Sequence, residues 1–261
     1  AKQQIRQVFA KAGSGKTLMM LHEACAVASG HDFLHFKNKD NKKTPVLYVE
    51  GEMDASSVQK RYDDIEVAYQ RENKKLNKEF MFFSLLADQK DMYFHSLTRD
   101  VGRLNEGAEW VELMQWLSRL RNRGYHVTFL HHPTKTGETA SGSNIKERSI
   151  DIDMKLTTPD EKTSLEEFEE GHTQICIEFL KWREHMNTFH SKKRIAVIER
   201  ATGAWQIFPH LNKTQRSIYL QLKQGKKAED IISVKEGMSK ANVYKVIKIL
   251  KEEGVLEDEV S

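Results

Sequence analysis

Apolar positions along the chain follow two rhythms. Up to about residue 209, short runs with the character of buried strands alternate with stretches at helical spacing. The strand runs are Ile5–Phe9, Val46–Val49, Phe80–Leu85, His126–Leu130, Ile152–Leu156, Ile175–Leu180 and Ile195–Ile198, with a last one near Trp205–Phe208. Between the third and fourth, Trp110, Leu113, Met114, Leu117 and Leu120 recur at helical spacing and predict one buried helix face. Arg119, Arg121 and Arg123 crowd the end of that helix, where cations suit its dipole, and Gly124 is placed to stop it. This alternation predicts an α/β layer fold on a mostly parallel sheet. The segment Thr158–Gly171 is acidic and polar and predicts a solvated hairpin or loop. The strands after it have short connections, which predicts antiparallel additions to the parallel core.

From Leu211 the rhythm becomes three short helices, Thr214–Leu222, Ala228–Val234 and Ser239–Glu253. In the third, Val243, Val246, Ile247 and Leu250 make a buried stripe, and Lys240, Lys245, Lys248 and Lys251 lie largely off it. Ser239 is placed as its N-cap and Gly254 as its stop, and Val255-Leu256 then begins a short strand. The change predicts two domains, residues 1–209 and 210–261.

Composition narrows the classes. The chain is 39% apolar and 30% charged, which suits a soluble globular protein. A net charge of +3 excludes a global basic field, so any nucleic-acid surface must be local. Cys25 and Cys176 sit in apolar runs without metal-type spacing and read as reduced core residues, which predicts a cytoplasmic protein. No apolar run approaches a membrane span.

The chemistry concentrates in Ala10-Lys11-Ala12-Gly13-Ser14-Gly15-Lys16-Thr17, between the first strand and an apolar helix from Leu18 to Ala28. Strand, Gly-rich loop and helix is the setting of a phosphate-binding P-loop, here with Ala in place of the usual first Gly. Gly13 and Gly15 let backbone N–H groups curl around an anion at a helix N-terminus. Lys16 can reach the β and γ phosphates, and the Thr17 hydroxyl can take a place on Mg²⁺. Gly13, Ser14, Gly15, Lys16, Thr17 and Leu18 are therefore the expected binding set for ATP with Mg²⁺.

Further on, Leu47-Tyr48-Val49-Glu50-Gly51-Glu52-Met53 runs from a strand into carboxylates, and Arg61 follows at helical distance. With the P-loop, this resembles the RecA-like ATPases, and within them the RepA-type and DnaB-type replicative helicases. The resemblance implies that Glu52 is the base that orients the attacking water, with Glu50 as its competitor. The stretch Phe129-Leu130-His131-His132-Pro133-Thr134-Lys135-Thr136-Gly137, then Gly142-Ser143-Asn144 and Asp151, is similar to the RepA-type pattern. It implies His132 as the γ-phosphate sensor and a following loop that faces single-stranded DNA in a ring channel. The segment Lys181-Trp182-Arg183 is similar to the Lys-x-Arg of hexameric members. There the implied task of Lys181 and Arg183 is to reach the neighbouring subunit's γ-phosphate, and the implied assembly is a homo-oligomeric ring.

One expected part is missing. A Walker B strand ending in Asp should precede the helix that begins near Ala108. The best run, Met92–Leu97, puts His95 at the Asp position, and His does not suit a hard Mg²⁺ site. Asn105-Glu106 resembles the segment just after Walker B. Either the metal site is degenerate, or residues are absent between Leu86 and Leu104. The intact remaining motifs favour the second, and predict that the P-loop strand otherwise lacks a neighbour.

The C-terminal helices resemble a winged helix-turn-helix, with Ser239, Lys240, Asn242, Tyr244 and Lys245 at the recognition end, facing duplex DNA. Protein contact is the competing use of such a domain. The expected function is an ATP-dependent DNA helicase or translocase in replication of a plasmid, phage or other mobile element. The alternatives are an ATP-switched DNA-binding or loading factor that unwinds nothing, and a non-catalytic assembly protein stabilised by nucleotide.

Overall fold

A computed structural model describes residues 3–50, 53–85, 107–131, 149–160, 163–165, 168, 170–186, 188–232, 239–252 and 256. The elements run β1 (Ile5–Ala10), α1 (Lys16–Ser29), β2 (Val46–Glu50), α2 (Ala55–Arg71), β3 (Met81–Leu85), α3 (Gly107–Asn122), β4 (Val127–His131) and β5 (Ile152–Thr157). They continue as β6 (His172–Trp182), β7 (Arg194–Glu199), β8 (Trp205–Pro209), α4 (Lys213–Lys223), α5 (Ala228–Ile231) and α6 (Lys240–Glu252). The strands expected before residue 210 all form, with ends moved by up to three residues.

Strand β1 is central. It pairs in parallel with β4 on one side and β5 on the other. Its alternate side chains feed two cores. Val8 and Ala10 pack with Met19, Met20 and Ala26 of α1, whereas Ile5 packs with Met114 and Leu117 of α3. Helices thus cover both faces of the sheet at this strand, as the strand–helix alternation predicts.

Two expectations about the sheet are corrected. The sheet is mixed rather than mostly parallel. Its order is β4-β1-β5-β6-β7-β8, and β5–β6, β6–β7 and β7–β8 are all antiparallel. Short connections after β6 leave no room for the crossover that parallel pairing requires, so the chain returns by hairpin. The P-loop strand also has a ladder on each side, so it needs no further neighbour. Among the described residues β4 and β8 are the sheet's edges, and Val127–Leu130 of β4 are only half-buried. Strands β2 and β3 form a separate parallel pair. The interval between Leu86 and Leu104, with Met92–Leu97 and His95, lies outside the described residues.

The segment expected to be a solvated loop before β6 is anchored. Leu165 is buried against Ile195 and Val197, and the Gln174 side-chain amide bonds both its backbone N–H and its carbonyl.

The C-terminal helices have their own core, built from Ile218, Leu222, Ile231, Val243, Val246 and Leu250. Asn212 and Gln215 close a capping box at the start of α4, and the Ser239 hydroxyl accepts the Asn242 N–H at 3.3 Å before α6. The Arg216 guanidinium donates to the carbonyls of Thr163 and Ser164 and ties α4 to the sheet-bearing part. The strand expected from Val255 falls outside the described residues except for Leu256, which is buried in the helical core. Among the described residues no helix is long and apolar enough to cross a membrane.

Two buried histidines make stability depend on pH. Burial pushes His22 of α1, set edge-on to Trp205, down to about 4. Burial also lowers His35, beside Phe36 and the His190 carbonyl, to about 4. In the unfolded chain both titrate near about 6.5, so below that pH the unfolded state takes up protons that the folded state refuses. Their stabilisation is complete above pH 6.5 and is lost as the pH falls towards 4. Thermal unfolding at pH 5 should show a loss on the order of 2 kcal/mol from His22 relative to pH 7.5, with a smaller addition from the half-buried His35. His22→Phe should remove its share of that difference.

Candidate functional site

The chain leaves β1 at Ala10 and turns through Gly13 and Gly15, with φ of 77° and 82°. The Ser14 hydroxyl donates to the Lys11 carbonyl at 2.7 Å and closes the turn. The Met19 N–H donates to the Gly15 carbonyl at 3.0 Å, so the helical ladder of α1 starts inside the loop. Gly15 is doubly constrained. Its φ suits only glycine, and a Cβ there would lie 2.6 Å from Ile175 Cδ1 of β6. Gly13 differs, because a Cβ on it would meet nothing within 4 Å. The open space over Gly13, the turned backbone and the N-terminus of α1 form a cradle with the shape and polarity for phosphate.

Lys16 stands at the mouth of this cradle. Its ammonium donates to the His131 carbonyl, at the end of β4, over 3.4 Å. That contact is long and its acceptor neutral. A phosphate oxygen offers a shorter, charge-assisted bond. Thr17 follows in the first turn of α1. Among the described residues no three His, Cys, Asp or Glu side chains gather as a metal site. Thr17, in the first turn of α1 beside the cradle, is the residue placed to take Mg²⁺ together with nucleotide phosphates.

Three elements flanking the loop are clamped by a group that the sequence reading missed. Arg6 of β1 makes two parallel bonds to the Glu23 carboxylate of α1, at 2.7 and 2.8 Å, and its Nε donates to Thr128 of β4 at 3.1 Å. The signal was present as a lone cation in a buried strand and a lone carboxylate in an apolar helix. The His131 carbonyl and Ile175 left no such signal.

The other expected residues are distributed as follows. Glu50 is buried at the end of β2 and accepts the Met53 N–H at 3.3 Å. Glu52 and His132 lie outside the described residues. Lys181 belongs to β6 itself, not to the turn after it, and pairs in register with Asp153. Arg183 follows β6 at the far end of the sheet. Its backbone N–H donates to the Asp151 carbonyl, and the Asp151 N–H donates to the Ile5 carbonyl. Ile5 begins β1 and Ala10 ends it, so Arg183 and the P-loop are about 17 Å apart along that strand. The loop and the ends of β1, β4 and β5 come together, and Arg183 does not join them. A groove of about 350 Å³ runs along α3 between Val111, Met114, Ser118 and Arg119, away from the loop.

Residues 2–113 match the family of AAA domains. The matched stretch starts before β1 and ends within α3, so it contains the whole phosphate cradle and both β2 and β3. It agrees with the loop geometry in making this part of the chain a P-loop ATPase domain, which binds nucleotide. No curated protein matches the chain.

Gly15 gives a direct check. Gly15→Ala should weaken nucleotide binding about tenfold or more, since a left-handed Ala alone costs about 1–2 kcal/mol. Adding Ile175→Val relieves the clash but not the φ, and should recover only part of the loss. Titration with a fluorescent ATP analogue reads both.

Proposed function

We propose that this protein is an ATP-driven DNA helicase or translocase that works as a ring, in replication of a plasmid, phage or other mobile element. The observation that carries the reading is the phosphate cradle between Gly13 and Thr17 at the start of α1, inside the stretch that matches the AAA domains. With Arg183 some 17 Å from its own phosphate loop by strand rise, a part for this arginine in hydrolysis belongs to a neighbouring subunit. That is the arrangement implied by the likeness to ring helicases.

In this reading Lys16 exchanges the His131 carbonyl for the β and γ phosphates. Gly13, Ser14, Gly15, Thr17 and Leu18 supply backbone N–H groups at the start of α1. The Thr17 hydroxyl would hold Mg²⁺, which would supply charge neutralisation at the phosphates. Glu52 orients the attacking water and His132 senses the γ-phosphate. Arg183, with Lys181, enters from the adjacent subunit, where a guanidinium matches the charge spread over the phosphoryl oxygens.

The DNA side of the proposal rests on α6. Its exposed face carries Lys240, Tyr244, Lys245 and Lys248, with the Lys240 ammonium 6.0 Å from the Tyr244 ring centroid. With Ser239 and Asn242 beside them, these side chains can donate to phosphates and base edges of a duplex.

Lys16→Ala should abolish hydrolysis. Mixing Lys16→Ala with Arg183→Ala subunits should restore part of it, because some interfaces then pair an intact loop with an intact arginine. Wild-type turnover should rise with single-stranded DNA, and forked DNA should be unwound. A stimulated ATPase without unwinding would reduce the reading to a translocase, and absence of stimulation would remove DNA as the track.

Duplex binding by the full chain should fall steeply with salt. Lys245→Ala should reduce the slope of log affinity against log salt by about 0.9, the contribution of one phosphate contact. An unchanged slope would favour protein contact at α6.

A further inference from the structure

Asp151 makes more connections than any other described carboxylate at the far end of the sheet. It lies just before β5, and its side chain is only 11% exposed. One carboxylate oxygen accepts the Ile5 N–H at 2.9 Å and a bond from Arg121 of α3 at 3.2 Å. The other faces Arg183 Nη1 at 3.4 Å. The backbone repeats the pattern, since the Asp151 N–H donates to Ile5 and the Asp151 carbonyl accepts from the Arg183 N–H. A single residue therefore binds Arg183 at both main chain and side chain. The same residue is fastened twice to the first residue of the P-loop strand.

We propose that Asp151 is the positioning residue for Arg183. It fixes the root of that side chain to β1 and orients the guanidinium for the neighbouring subunit, with Arg121 steadying the carboxylate from α3. The inference rests on the reading of Arg183 as acting across an interface. Arginine has a long stem with many rotamers and gains little from reaching into a phosphate site unless its starting geometry is fixed. The Arg183 side chain is 47% exposed, so half of it remains accessible while one edge is held. The guanidinium has five donors, and a carboxylate on one edge leaves other N–H groups for a phosphate. The tie to Ile5 links the reach of Arg183 into one subunit to the strand that ends in its own subunit's phosphate loop.

A structural role for Asp151 as a mere cap on Ile5 is separable by kinetics. Asp151→Asn keeps an oxygen for the Ile5 N–H but loses the charge that orients the two guanidinium groups. Steady-state ATP hydrolysis by the assembled full-length chain should then show kcat down about tenfold, with KM for ATP changed less than about twofold. Placed on top of Arg183→Ala, Asp151→Asn should cause no further loss, because the group it positions is gone. An equal loss of kcat in both backgrounds would overturn the proposal in favour of a structural cap. A rise in KM without loss of kcat would do the same, since it would place the effect in the chain's own phosphate loop. If Asp151→Asn does not assemble, Arg121→Met replaces it. It leaves the Ile5 bond intact and should lower kcat less, again only when Arg183 is present, and an equal loss in both backgrounds counts against the proposal. Arg183→Ala alone at the wild-type kcat would instead reject the trans reading itself, a result that the single variant gives whatever Asp151 does.

Discussion

The site depends on one close contact, between the backbone of Gly15 and the side chain of Ile175. Ile175 is fully buried and belongs to β6, an antiparallel strand two places from β1 in the sheet. The floor of the phosphate loop is therefore laid by the antiparallel part of the sheet, outside the P-loop unit itself. The left-handed turn at Gly15 lets α1 start directly over that floor, and a side chain at residue 15 would strain that φ and push against the end of Ile175. Backbone N–H groups bind an anion only when they converge, so the packing below the loop and the chemistry above it are one constraint.

Helix α1 carries this constraint outwards. Met19, Met20 and Ala26 face the six-stranded sheet, whereas Leu21, Cys25 and Ala28 face a core shared with α2, Met81 and the β2–β3 pair. Among the described residues the two sheets share no ladder, and α1 packs between them, joined by Tyr69 of α2, which touches both cores. The Arg6–Glu23 pair fixes the roll of α1 on β1 by a two-point bond that a single contact could not supply. It is half-buried, which shields it from salt more than an exposed pair.

Much of this was legible in the sequence, and the illegible part has a common cause. Strand runs, the apolar face of α3 and the GSGKT loop are local signals, written in spacing and in residues with special backbone freedom. The antiparallel direction of β6 to β8 followed from connection length and was read. That β1 already had two parallel partners could not be read, because Val8 opposite Leu130 and Met154 is a pairing between distant segments. The same holds for Lys16 on the His131 carbonyl and for Asp151 between two arginines. A backbone carbonyl has no sequence signature at all. The strand end at Leu180 was misjudged for a different reason. Lys181 and Trp182 are polar or bulky, and they remain in β6 because a register shift between Asp153 and Met154 lets the ladder continue past it.

The choice of arginine at 183 follows from these geometries. In the proposed ring this side chain has two acidic partners at once, the Asp151 carboxylate of its own chain and a phosphate on the next. An ammonium is a compact point charge, and a carboxylate that held it would compete directly with the phosphate. A guanidinium spreads its donors around a plane, so one edge can remain on Asp151 while another meets the second anion. Lys181, two residues earlier in β6 and opposite Asp153, lacks that planar fork. In that proposed ring the arginine stays tethered and points, and the lysine adds charge.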